Sequence, residues 1–168
     1  FISITSFSNV PYWSICYEWW YYIGFSLVVF LPRTLGLSML ALLMLIIGPK
    51  LLLLAPIWWL GVLLYKWSSL QNLTSHVAWT LAISSFIGIV LFHHYDLSGL
   101  AAEWLVSKIG KAWFDQLTFS KFFIADYLLG LLVFANFAGM RIILRDHGSK
   151  LLAAERPIRY LAGLTFSL

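Results

Sequence analysis

Long runs without a single charge constrain this chain more than any other feature. From Trp19 to Pro32 no Asp, Glu, Lys or Arg occurs, and the same holds from Thr34 to Pro49, Leu51 to Tyr65 and Trp67 to Tyr95. From Phe122 to Met140 the one charged residue is Asp126. Ordinary soluble domains carry about 25% charged residues. Here 11% of 168 residues are charged and 61% are hydrophobic, with a mean hydropathy of +0.87. A small globule leaves too much surface in water to hide that much apolar area. A bilayer removes the difficulty by being the solvent. In lipid each backbone polar group needs an internal partner, and uninterrupted apolar runs satisfy this as helices. The predicted fold is therefore all-α, a polytopic transmembrane helix bundle whose first partner is the lipid bilayer.

The breaks between runs set the helices. The first span is predicted over Trp13 to Leu31, opened by Asn9 and Pro11 and closed by Pro32 and Arg33. Leu35 to Ile47 and Leu51 to Tyr65 flank Gly48-Pro49-Lys50. Each is at or below the ~17 residues a span needs, so they form either two short spans or a hairpin that crosses incompletely. Ser75 to Phe92 is the fourth span, ended by His93-His94-Tyr95-Asp96, and Phe122 to Met140 is the fifth. Tyr160 to Leu168 opens a sixth. Between the fourth and fifth, Leu97 to Lys121 is polar. On a helical wheel Ala102, Leu105, Val106, Ile109, Trp113 and Leu117 share one side, and Glu103, Ser107, Lys108, Lys111 and Asp115 the other. That pattern predicts one amphipathic helix lying in the membrane interface. Neither end looks like a natural terminus, so residues 1–168 are expected to be a single domain truncated at both ends.

Orientation follows from Lys and Arg. With the start of the first span outside, Arg33, Lys66, Arg141, Arg145, Lys150, Arg156 and Arg159 lie inside, against Lys50, Lys108, Lys111 and Lys121 outside. The start of the first span is thus expected to face away from the cytoplasm. The basic residues flank apolar segments and do not cluster as a nucleic-acid surface would require, so no nucleic-acid partner is expected. Cys16 is the one cysteine, which allows no internal disulfide.

Acids inside spans are costly and usually functional. The spans hold two, Glu18 and Asp126. Helical rise puts Glu18 ~10 Å below Pro11 and Asp126 about one turn below Phe122, a comparable depth on the same side. Two such acids would line one polar cavity. Asp126 also has a plain explanation, because the first turn of a helix favours a carboxylate. Ser14 and Glu18 are four residues apart and share a helix face. The aromatics around them, Tyr12, Trp13, Tyr17, Trp19, Trp20, Tyr21 and Tyr22, read first as an interfacial belt. They would also suit stacking on a sugar. His93 and His94 sit at a span end within reach of water, and no Cys, Asp or Glu completes a metal-binding spacing with them, so no metal is expected. His147 is expected to be solvated in a basic inner loop.

The segment Asn9-Val10-Pro11-Tyr12-Trp13-Ser14-Ile15-Cys16-Tyr17-Glu18, followed by Trp19-Trp20-Tyr21-Tyr22, resembles the membrane acyltransferase 3 family. That family carries Trp-Ser-Leu-x-x-Glu and then aromatics at the head of a span. Trp13, Ser14 and Glu18 match, with Ile15 in the place of Leu. Asp126-Tyr127-Leu128-Leu129-Gly130 is similar to the family's later Asp-x-x-x-Gly, and Arg156 to Leu168 to the lead into one of its last helices.

The resemblance implies a domain of about ten helices, of which this chain holds about six. The family's first-helix basic residue and His, and its cytoplasmic Arg-x-x-Arg, are then expected upstream. It implies an acyltransferase of a bacterial inner membrane. This would carry an acyl group, by default acetyl, from cytoplasmic acyl-CoA (acetyl-CoA) to a hydroxyl of a carbohydrate or lipid-linked glycan. In that reading Glu18 and Ser14 are the catalytic candidates. Trp13, Tyr17, Asp126, His93 and His94 would meet the acceptor, and Arg145, Arg156 and Arg159 the phosphates of CoA. The alternative is a piece of a transporter or flippase for a glycan or lipid-linked substrate, which intramembrane acids and the break at Gly48-Pro49 would also fit.

Overall fold

The structure, a computed structural model, describes residues 12–151 together with residues 155, 156, 159 and 160. Among these every regular element is helical. The long helices are α1 (Tyr12–Phe30), α2 (Arg33–Ile47), α3 (Pro49–Lys66) and α4 (Ser75–His94). Two short ones, α5 (Leu97–Ile109) and α6 (Lys111–Gln116), lead into the long α7 (Phe123–Leu151). Short 3-10 turns occupy Ser68–Asn72 and Thr118–Phe122. The sixth span expected over Tyr160 to Leu168 lies almost wholly outside the described residues.

Each reversal has a local cause. Pro32 cannot continue α1, and its carbonyl accepts from Gly36 N at 2.8 Å as α2 begins. Between α2 and α3, Gly48 takes φ +80°, a conformation open to glycine, and Pro49 starts α3 where its missing N–H costs nothing. After α4, Asp96 takes a left-handed φ of 45° and its side chain accepts from Gly99 N at 3.2 Å.

Contacts along the helices fix their directions. In α1 and α2, Gly24 meets Leu40 and Gly36 meets Leu27, so the two are antiparallel. Tyr21 touches Leu51, while Phe25, further along α1, touches Trp58, so α3 runs parallel to α1. Ser120 meets Lys50 and Arg141 meets Leu64, so α7 runs parallel to α3. Leu35 to Tyr65 thus folds as two antiparallel helices, each laid along α1. By ~1.5 Å per residue the 15 residues of α2 fall short of a ~30 Å hydrocarbon core, and the 18 of α3 come close to it.

α4 and α7 pair antiparallel through small residues. Ala78, Ala82 and Ser85 of α4 are buried. A Cβ on Gly139 would stand 2.5 Å from Ala78 O and 2.9 Å from Ala82 N, so the two backbones all but touch. Asn136 Nδ2 donates to Ala82 O and to Ser85 Oγ, both at 3.1 Å. Small residues at close approach with an interhelical polar bond are how helices associate in lipid.

Among the described residues two helical stretches, Ser75–His94 and Ser120–Gly148, are long and apolar enough to cross a membrane, and only 22% of the apolar window of each is buried. A core helix of a soluble protein would be mostly buried. Large apolar side chains elsewhere also point outward, Phe30 and Leu45 at 80% and 82% exposure.

Three expectations need correction. Leu97 to Lys121 is not one amphipathic helix, because Gly110 (φ +80°) breaks it into α5, α6 and a 3-10 turn. The break shifts the phase, so Leu105 and Phe114 are buried while Trp113 is 66% exposed. The fifth helix does not stop at Met140. With no proline between Met140 and Pro157 it continues to Leu151, and its 29 residues span ~43 Å. His147 therefore lies in a helix, not in a solvated loop. Its ring stands 6.4 Å from that of Trp79, and its buried Nδ1 has no partner among the described residues.

Candidate functional site

Hydroxyl groups from α1 and α7 draw three helices together at the end of the molecule where α1 begins. Pro56, inside α3, removes the N–H that would have bonded Leu52 O. Side chains dock on the carbonyls around that gap. Tyr21 Oη donates to Leu51 O at 2.6 Å, and the hydroxyl of Tyr127 donates to Leu53 O. Ser120, wholly buried, donates to Lys50 O at 2.7 Å. Its single proton is then committed, so Tyr17 Oη, 3.5 Å away, is the donor to Ser120 Oγ.

This corrects the reading of the α1 aromatics as an interfacial belt. Tyr17 is 4% exposed and Tyr21 is bonded to α3, so both are packing residues. Trp19 and Tyr22, at 59% and 55% exposure, keep the outward position a belt requires.

Between α1, α3 and α7 lies a cavity of about 500 Å³. Tyr17, Glu18 and Tyr21 line it from α1, Leu54, Ile57 and Trp58 from α3, and Asp126, Leu129 and Gly130 from α7. Both acids singled out from the sequence reach this one space. Glu18 is exposed and Asp126 half-buried. Neither has a hydrogen bond or ion pair with another described residue. Asp126 stands in the first turn of α7, where the helix dipole favours its charge. Gly130 brings α7 close to α3, since a Cβ there would rest 3.4 Å from Ile57 and 3.5 Å from Leu60. Trp58 closes one wall, its ring edge-on to Tyr22 and Phe25, each 5.8 Å away.

Of the other sequence candidates, the side chains of Trp13 and Ser14 lie outside the described residues. His93 and His94 are exposed at the end of α4 and do not line the cavity. Arg145 pairs with Asp146 at 3.0 Å and Arg159 with Glu155 at 2.7 Å, while Arg156 is exposed. From Asp126 to Arg145 the axis of α7 runs ~28 Å, so Arg145 and the cavity sit nearly a hydrocarbon thickness apart. Among the described residues no three His, Cys, Asp or Glu side chains gather to hold a metal.

Sequence reasoning passed over Trp58, Tyr127, Ser120 and Pro56. Two signals pointed to them. A proline inside an apolar run removes one backbone bond of its helix, and the hydroxyls dock on the neighbouring carbonyls of Lys50, Leu51 and Leu53; tryptophans in mid-run depart from the usual interfacial placement. No family model, curated protein or solved structure matches the chain, so a functional reading rests on its own residues and their arrangement.

Proposed function

We propose that this chain is part of an integral membrane acyltransferase, of a bacterial inner membrane. It would carry an acyl group, by default acetyl, from cytoplasmic acyl-CoA to a hydroxyl of a carbohydrate or lipid-linked glycan. In this reading the long helices are spans of a polytopic bundle of about six, within a domain of about ten. α5 and α6 lie at the outer interface. The membrane part is supported by the charge-free runs, the two span-length helices and the apolar surface around them.

The observation that carries the chemistry is the cavity. The Glu18 of the Trp13-Ser14-Ile15-Cys16-Tyr17-Glu18 pattern and the Asp126 of Asp126-x-x-x-Gly130 line one space, although 108 positions apart in sequence (126 − 18). Acyl transfer needs a base at the acceptor hydroxyl. The hydroxyl oxygen bonds to the thioester carbonyl carbon, the C–S bond breaks, and the hydroxyl proton goes through the base to the departing thiolate. Glu18 has no hydrogen bond or ion pair with another described residue, which in this reading leaves its carboxylate to a histidine or to the acceptor itself. Trp58 offers an aromatic face to a sugar ring and Asp126 an acceptor for its hydroxyls, while Tyr17, buried against α3, would support the wall from behind. The arginines near the far end, Arg145, Arg156 and Arg159, suit the phosphates of CoA.

The test is acetyl-CoA-dependent labelling of membrane glycan by cells expressing the full-length protein. Labelling lost in Glu18→Gln at unchanged protein level is the expected result. Wild-type labelling in Glu18→Gln would remove Glu18 from the mechanism. Glycan movement across the membrane with no labelling at all would favour the transporter reading.

A further inference from the structure

We propose that a second groove, between the inner halves of α1 and α3, holds one acyl chain of an anionic phospholipid, with its headgroup phosphate at Lys66. The inference rests on the membrane reading above but not on the acyltransferase chemistry. The groove measures about 520 Å³ and is separate from the acid-lined cavity except for Trp58, which borders both. Its walls are Tyr22, Phe25, Trp58, Val62 and Tyr65, and among the described residues Lys66 is the one charged group that lines it. No carboxylate of the described residues lines it.

Its dimensions suit one leaflet. From Trp58 to Lys66 the axis of α3 covers ~12 Å, close to half of a ~30 Å hydrocarbon core. The rim residues Tyr22 and Tyr65 are 55% and 77% exposed, so the groove is open to the surroundings of the helices. The charged end is at the side that carries the excess of Lys and Arg, where the anionic leaflet lies.

The end of α3 alone would repel a phosphate, because the last carbonyls of a helix carry partial negative charge. Two cations offset this. Arg141 Nη1 donates to Leu64 O at 3.1 Å. Lys66 Nζ rests 5.9 Å from the Phe25 ring centroid and takes no part in either ion pair of the described residues. Its N–H groups are left to the headgroup, while the ring keeps the ammonium at the mouth of the groove.

Gly61 provides the blocking variant. A Cβ added there meets nothing within 4 Å, and leucine is a better helix former than glycine, so Gly61→Leu fills the groove without straining the fold. The experiment is lipid retention by the delipidated full chain, with phosphatidylglycerol and phosphatidylcholine as probes, read by native mass spectrometry. One basic residue at a membrane surface is worth about 1 kcal/mol, so wild type should prefer phosphatidylglycerol about fivefold. Lys66→Ala should bring the two lipids level. Gly61→Leu should lower retention of both. Equal retention by wild type, an unchanged preference in Lys66→Ala, or undiminished retention in Gly61→Leu would each overturn the proposal. A chain that fails to enter phosphatidylcholine vesicles at all would overturn the membrane reading with it. A chain that enters them and shows no headgroup preference overturns the groove alone.

Discussion

α7 packs against α4 on one side and against α3 and α1 on the other, and the two contacts are built from opposite materials. Toward α4 small residues set the closest approach: Gly139 lies against Ala78 and Ala82, with Ile142 and Ile143 packed around them, and Asn136 spends both N–H groups on Ala82 O and Ser85 Oγ. Around Gly139 the backbones leave no room for a side chain, and further along the same contact the buried Nδ1 of His147, beside Trp79, has no partner among the described residues. Toward α3 and α1 the residues are mostly large, with one close approach at Gly130. Tyrosine hydroxyls hold the helices together at the rim, and about 500 Å³ stays open behind them, edged by two acids that bond to no other described residue. The first contact has the character of a structural seam. The second holds the two acids on which the proposed function rests, since carboxylates within apolar runs are costly to keep.

Substitutions can break or sharpen this contrast. The largest effect is expected at the seam. Gly139→Leu forces a side chain into Ala78 O and Ala82 N and should cost about 3 kcal/mol, the upper end for overpacking. Denaturant titration in detergent micelles would read it, and an unchanged midpoint would show that the seam is looser than described. Next is Glu18→Gln, which should lower kcat/KM for acyl transfer about 100-fold, equivalent to about 2.7 kcal/mol in the barrier. The same titration should find its stability unaltered, because Glu18 is exposed and bonds to nothing described. A marked loss of stability would make Glu18 a packing residue and erase the contrast.

Tyr21→Phe deletes the hydroxyl that bonds Leu51 O and should cost about 1 kcal/mol. If hydroxyls do hold the second contact, the loss should appear as faster amide exchange in α3 near Pro56, with α4 unaffected. The smallest effect is expected of Asn136→Ala. Polar bonds between helices in a membrane average only about 0.6 kcal/mol, and this one is expected near that value. A cost of several kcal/mol would make the seam depend on its polar bond more than on its close packing.

The ends of the helices were legible in the residues. Pro32, Gly48-Pro49 and Tyr95-Asp96 each end or turn a helix where a local reading places it, because a proline without its N–H or a glycine at positive φ acts on its immediate neighbours. Gly110 acts in the same way, yet its effect was missed. A wheel drawn through Leu97 to Lys121 presumes one continuous phase, and a single left-handed residue resets it. His147 was misplaced for the converse reason. A dense run of charges reads as a loop, but without a proline the helix of α7 carries them onward, and Trp79 of another helix covers the ring.

At the candidate site, the sequence alone marked Glu18 and Asp126 through a property each carries by itself, a charge within an apolar run. That is a statement about solvation and needs no partner to be read. Their meeting at one cavity was decided by tertiary structure, as were the inward turn of Tyr17 and Tyr21 and the exclusion of His93 and His94. Those outcomes depend on how α1, α3 and α7 slide and rotate against one another. Contacts between residues scores of positions apart set that register, including the bonds from Tyr21 to Leu51 and from Ser120 to Lys50, and no local pattern encodes it.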